Sequence, residues 1–385
     1  MGALGYLAAS TPPRLASAGA VVAIPILAVQ QLNDIGLGGA LVAVSLGPSI
    51  LAAPLVGAVL DRARRPGNLI AIAGLLTAVA FLVAGFLDRV PLPVEFAALG
   101  AAGAVSPFYM GGLSSFVAEE IPDGRRAFAY DALSYNLSAV AGPAVVAVIA
   151  ALWSAQAALF TLSAASLLGA VSAAVIGLSP HGAGGNSVWR TTLAGLRHIF
   201  GHRPLAVVTV SSSLTQLGQG GLAVAAVALS IERVGSPADA ALLVTAFAAG
   251  SLIGAVVETA RPTRASPHIV MGGGFLATGI FTVLAAANLG IAWTVVAIGV
   301  SGAFTASTSA AMLLLRNRLS PPHLRSQIFT VGAGLRASAA AGGAALAGSA
   351  GLGGALAVLA IGGVWIASAA LMAAYPSGAA VSREA

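Results

Sequence analysis

The chain has 385 residues, 58% of them hydrophobic and 8% charged, and eighteen basic against twelve acidic side chains give a formal charge of +6. Soluble globular domains carry about 25% charged residues, and the mean hydropathy here is +0.95, so a soluble enzyme and a disordered chain are excluded. With no cysteine there is no disulfide scaffold, thiol nucleophile or Cys-ligated metal.

Long unbroken apolar runs, in place of ~10-residue alternating segments, exclude a transmembrane barrel and predict membrane helices of ~20 residues. In chain order the sequence predicts twelve, at 14–33, 39–60, 67–87, 94–117, 128–151, 155–178, 205–230, 238–258, 267–287, 291–314, 326–348 and 352–374. Thr11-Pro12-Pro13-Arg14 precedes a run too long for the core of a signal peptide, so the first span is expected to stay uncleaved. The long gap follows span six. There Val188, Leu193, Leu196, Ile199 and Phe200 fall near helical spacing beside Arg190, Arg197 and His198, which predicts a short amphipathic helix on the inner membrane surface. The expected organisation is an N-terminal six-helix bundle (1–178), a cytoplasmic linker (179–204), a C-terminal six-helix bundle (205–375) and a cytoplasmic tail (376–385).

Every basic residue is arginine, which suits a GC-rich bacterial genome. The arginines stand singly or in short clusters between apolar runs, as topogenic charges do and a nucleic-acid surface does not. With the N-terminus inside, fifteen, Arg14 and Arg316 among them, fall in inner segments. Arg89 and Arg233 fall in outer loops, and Arg336 lies within a span. The expectation is a multi-pass protein of the bacterial cytoplasmic membrane with both termini in the cytoplasm.

Six spans, a long loop and six spans suggest duplication. Gly57-Ala58-Val59-Leu60-Asp61 closes span two and Gly254-Ala255-Val256-Val257-Glu258 closes span eight, each followed by Arg-Pro, at 65–66 and 261–262. Ile121-Pro122 to Arg126 after span four matches Ser320-Pro321 to Arg325 after span ten.

The stretch Gly57-Ala58-Val59-Leu60-Asp61-Arg62-Ala63-Arg64-Arg65 resembles the G-x-x-x-D-R-x-x-R signature of the major facilitator superfamily, in its place between spans two and three. The resemblance implies an all-α membrane fold of twelve helices in two pseudo-symmetric bundles. It also implies a gate in which Gly57 admits span eleven, Asp61 faces that helix's N-terminal dipole, and Arg62 and Arg65 build a cytoplasmic charge network. The second-half copy is degenerate, with Thr259 where Arg62 stands. Asn136 to Gly142-Pro143 in span five resembles a stretch of drug-exporter-like members, although Val145 and Val146 replace the paired glycines. Such exporters often carry an arginine inside span four, and span four here has none. Gly142 and Pro143 also suit plain helix packing and bending.

Ionisable groups inside spans are costly and usually functional. Arg336 lies about eleven residues into its span and needs a carboxylate, carbonyls, water or an anionic substrate. Asp131, Tyr135, Ser138 and Gly142 share one helical face, so Asp131 is a coupling candidate; its alternative is an interfacial acid favoured by the helix dipole. Asp34, Glu95 and Glu232 sit at outer span ends, as solvated anchors would. Tyr109, Tyr135, Gln216 and Gln219 are candidates for a substrate cavity, against the alternative of helix-to-helix hydrogen bonds.

No phosphate loop, nucleophile elbow or metal cluster stands in the sequence, and no cofactor is expected. The reading is a monomeric secondary transporter exporting a small amphipathic or hydrophobic compound on the proton gradient. The alternatives are uptake of a small metabolite, or a non-transporting membrane partner on the same fold.

Overall fold

Apolar runs punctuated by proline, glycine and a few caps set the helix ends. The computed structural model describes residues 3–121, 124–175, 178, 188–261, 263–321 and 325–376. The first half comprises α1 (Ala3–Leu32), α2 (Ile35–Leu46), α3 (Ser49–Arg62), α4 (Pro66–Ala84), α5 (Leu92–Pro107), α6 (Leu113–Glu120), α7 (Gly124–Leu152) and α8 (Ala155–Val175). After α9 (Val188–Gly201) come α10 (Arg203–Val234), α11 (Ala240–Ala260), α12 (Pro267–Ala285), α13 (Ile291–Ala303), α14 (Thr305–Leu319), α15 (Arg325–Ser349) and α16 (Gly354–Met372). Proline stands in the first turn of α4, α10 and α12, where its missing N–H is no loss. Asp34 caps α2 by accepting from the Leu37 amide at 2.8 Å. Gly235, at φ +73°, ends α10 with its amide on the Ile231 carbonyl.

Among the described residues, ten helices or helix pairs are long and apolar enough to cross a membrane, including α2 running on into α3 and α13 into α14. The remaining crossings of the twelve-helix fold are α5 with α6, interrupted at Met110, and α15, which carries Arg336 within it. α1 begins eleven residues before the predicted span, so Arg14 lies inside a helix rather than at its mouth.

The two halves repeat one packing pattern. In the first, α1 packs on α7 and α8, α4 on α5 and α8, and α2 on α5. In the second, α10 packs on α15 and α16, α12 on α13 and α16, and α11 on α13. Across the halves α2 meets α15 and α7 meets α11, which are equivalent contacts under the same two-fold relation. At the α2–α15 crossing a Cβ on Gly39 would stand 2.7 Å from the Ala344 carbonyl oxygen and 2.8 Å from the Gly348 Cα. Only a residue without a side chain admits that approach.

α9 is strongly amphipathic, and part of its apolar face is covered by protein. Leu196 and Ile199 pack with Leu205, Ile328, Val331 and Leu335, while Leu193 and Phe200 remain exposed. The expected helix on the membrane surface is thus docked on the start of α15. The part of the linker before Val188 lies outside the described residues.

Candidate functional site: two buried arginine clusters and a cavity between the halves

The first cluster begins with a break. Pro107 ends α5, and Met110 leaves helical geometry at φ −81° and ψ −107° within the π-helical stretch Phe108–Gly112. A break frees backbone carbonyls that must find donors inside a bilayer. Arg14 supplies them from α1. Its Nε donates to the Tyr109 carbonyl at 3.3 Å and its Nη2 to the Met110 carbonyl at 3.0 Å. The same Nη2 donates to Ser114 Oγ at 2.9 Å, and Nη1 forms an ion pair with Asp131 Oδ1 at 2.8 Å. Asp131 Oδ1 also accepts from the Tyr6 hydroxyl at 2.5 Å and from Ser114 Oγ at 2.9 Å. The Tyr135 ring lies 3.8 Å from the Arg14 guanidinium carbon, within cation–π range.

This changes two expectations. Arg14, counted as a cytoplasmic anchor, is 1% exposed, because α1 carries it past the interface to a carboxylate and two freed carbonyls. Although span four has no arginine of its own, Arg14 of α1 reaches its break at Tyr109 and Met110. Asp131 and Arg336 do not pair, since Arg14 takes the carboxylate.

Tyr109 lies outside the cavities between the halves. It is 1% exposed, and its hydroxyl meets Ser17 Oγ at 3.0 Å and Thr77 Oγ1 at 3.4 Å. Tyr135 faces Arg14 and does not line either central cavity. α1 and α7 are further joined where Ser138 Oγ donates to the Thr11 carbonyl at 3.1 Å and Ser10 meets Ser134 at 3.0 Å. Gly142 lets α7 close on α1, for a Cβ there would stand 2.7 Å from the Leu15 carbonyl oxygen. Pro143 lines the larger cavity.

That cavity, about 300 Å³, lies at mid-depth between the halves, walled by Val22, Val140, Pro143, Val244, Phe247 and Leu252 among others. Its size is at the lower end of small-molecule sites, roughly 300–1,000 Å³. A second, more polar cavity of about 160 Å³ lies in the second half, lined by Ser212, Thr215, Thr305, Thr308, Arg336 and Trp365 among others. Gln216, Gln219 and Ser251 line both. The two glutamines meet there, with Gln216 Nε2 donating to Gln219 Oε1 at 2.8 Å. Thus the two chambers share a polar wall, and the edge-to-face pair Phe275–Trp365 lines the polar one.

Arg316, counted among the inner loop charges, is 2% exposed and donates from Nη2 to Ser212 Oγ at 3.0 Å. Its guanidinium lies over Gly332, one helical turn from Arg336 on α15. α14 runs straight through its Arg-containing end, so the side chain turns into the bundle.

Glu95 also departs from expectation. It is fully buried and both carboxylate oxygens lack a hydrogen bond. It shares a face of α5 with Leu99 and Gly103, and Gly103 packs on the Ser45 carbonyl of α2, so the helix turns it inward. Asp34 and Glu232 serve helix ends instead: Glu232 Oε2 accepts from the Ala355 amide at 3.1 Å.

Of the signature segment, α3 is helical through Arg62 and packs on α15 and α9. The side chains of Asp61, Arg62 and Asn136, and the surroundings of Gly57, lie outside the described residues, while Arg65 is exposed. In the degenerate copy Glu258 closes its own loop, accepting from the Thr263 amide at 3.0 Å and hydroxyl at 2.7 Å.

Two pseudo-symmetric helical halves around a mid-depth cavity with buried charges define a membrane transporter architecture. Known proteins agree. A sequence model of the Major Facilitator Superfamily matches residues 14–257, and the chain belongs to that superfamily. An uncharacterized MFS-type transporter, y4rN of Sinorhizobium fredii (strain NBRC 101917 / NGR234), is 24% identical over 341 residues, covering 86% of this chain and 84% of its own. Among solved structures, a mutant of the nucleoside transporter NupG superposes with a TM-score of 0.81 at 13% identity, over 97% of this chain and 100% of that one. The POT family transporter PepTSo gives 0.72 at 12% identity, over 97% of both chains. At these identities the structural likeness speaks for the fold.

Proposed function

We propose that the protein is a proton-driven exporter of a small amphipathic or hydrophobic compound, working by alternating access of the cavity between its halves. The observation that supports this most is the Arg14–Asp131 cluster. It ties α1, the break in span four and α7 through one carboxylate oxygen. Protonation of Asp131 removes the charge that three donors hold, and so loosens α1 from α7 beside the cavity wall that both helices line. A proton entering at this carboxylate is thereby converted into movement of the helices around the substrate. Asp61, Arg62 and Arg65 supply the lock on the α3 side, with Gly57 as its contact point on α15. The working unit is a monomer in the cytoplasmic membrane, with both termini inside.

The test uses cells expressing the chain and three amphipathic dyes of matched size, one neutral, one anionic and one cationic. Lower retention of at least one dye is expected, and retention should recover with a proton uncoupler, with Asp61→Asn and with Asp131→Asn. A retention difference indifferent to the uncoupler overturns proton coupling. Higher retention in expressing cells overturns export in favour of uptake.

A further inference from the structure

The buried arginines of the two halves are satisfied very differently. Arg14 has a carboxylate, two carbonyls and a hydroxyl around it. Arg316 and Arg336 have neither carboxylate nor carbonyl partners among the described residues. A guanidinium has five N–H donors. Arg316 places one of them on Ser212 and leaves its Nε unpartnered, while Arg336 makes no hydrogen bond and its buried Nε is likewise unpartnered. The two charges lie within electrostatic reach of each other, since Arg316 stacks over Gly332, one turn before Arg336. Two neighbouring guanidiniums without an anion, Arg316 buried and Arg336 half-buried at the cavity wall, are unfavourable, because an arginine in a low-dielectric interior keeps its charge.

The place of this pair decides what completes it. Arg336 lines the polar cavity, and Arg316 reaches Ser212 on its wall. Through Gln216, Gln219 and Ser251 that cavity adjoins the larger one, whose other walls are apolar. An anionic head in the first chamber and an apolar body in the second would fill both.

We infer that Arg336, with Arg316 behind it, is the anion subsite of the central cavity, and that the exported compound is a small amphipathic carboxylate. The carboxylate accepts from Arg336 and lies beside Gln216 and Gln219, while the apolar body lies between Val140, Val244 and Phe247. This names the substrate class for the cavity of the transport reading and rests on it.

The test is binding to the purified full chain in phosphatidylcholine nanodiscs, followed by thermal melting and calorimetry, with no gradient present. The probes are 4-phenylbutyrate, its amide, 4-phenylbutylamine and acetate. Only 4-phenylbutyrate is expected to raise the melting temperature. Arg336→Gln should weaken it by about tenfold or more, the scale of one lost charge-assisted pair. Arg336→Lys should retain most of the affinity. Gln219→Glu, which keeps both arginines and adds an internal carboxylate to the same wall, should abolish binding even if Arg336→Gln fails to fold. Equal protection by the amide or the amine overturns the anion subsite, and so does undiminished 4-phenylbutyrate binding in Gln219→Glu. Equal protection by acetate overturns the amphipathic ligand. If doping with phosphatidylglycerol stabilises the wild type and excludes 4-phenylbutyrate, the pair holds a lipid head group and the substrate assignment is overturned. Failure of proton coupling or of export leaves gradient-free binding standing. Loss of binding alongside intact uncoupler-sensitive dye flux removes the anion subsite alone.

Discussion

Asp131 Oδ1, on α7, accepts from three donors on two other helices: Arg14 Nη1 and the Tyr6 hydroxyl on α1, and Ser114 Oγ on α6. Removing one member of a buried ion pair typically costs about 3–5 kcal/mol, because the other charge is left without compensation. Arg14→Gln and Asp131→Asn should therefore each lower the melting temperature of the purified protein. The double variant should be less destabilised than the two single losses added together, since each single change exposes the same unpaired partner. Strict additivity in that cycle would mean the pair has no coupling energy. Half of this cluster was legible in the sequence. Asp131 and Tyr135 fall on one helical face, and that spacing is visible in one segment. Arg14 was not legible as a buried group, because a cation before an apolar run is what a topogenic anchor looks like. The signal that could have found it is the stripe Tyr6, Ser10, Arg14, Ser17 at helical spacing, which requires starting α1 near Ala3. Glu95 was hidden for a related reason: its position at a span end says nothing about which way the helix turns.

At the scale of elements, close helix contact and the span-four break govern what can move. The Gly39–Gly348 crossing joins α2 to α15 at the end of the molecule that carries the α1–α2 and α15–α16 turns. It is held by backbone proximity rather than by long side chains, so it can part without breaking strong bonds. A Cβ at Gly39 meets backbone atoms, which cannot rotate away. Gly39→Val should accordingly hold this crossing apart. The chain has no cysteine, so a single reporter suffices: Ser251→Cys, at the wall shared by both chambers, should react several-fold faster with a membrane-impermeant maleimide when Gly39→Val is present. An unchanged rate would mean that this crossing does not limit access. Helix count and the paired halves followed from sequence because hydropathy and arginine placement act over twenty residues at a time. The break at Met110 did not, because Pro107 alone permits either a bend or a straight run in a membrane helix. The fate of α9 was half legible: its periodicity gave a helix, while only the packed α15 face explains what covers it.

For the whole molecule, the two-fold relation holds for the backbone but not for the charges. The first half is internally neutral at Arg14 and Asp131, and the second keeps Arg316 and Arg336 without an internal counter-charge among the described residues. A carrier built this way is an electrical device as well as a chemical one. One elementary charge moved across the full membrane field changes the energy by about 2.3 kcal/mol per 100 mV, and a cavity cation that exchanges sides crosses part of that field. The unloaded protein carries this charge through its return step, and a loaded anion cancels part of it. Capacitive currents from proteoliposomes on a solid support should thus be larger for the empty protein than for protein saturated with 4-phenylbutyrate. They should shrink in Arg336→Gln whether or not ligand is present. The membrane voltage would then set how fast the empty cavity turns over, which makes the resting potential of the cell a throttle on the transport cycle.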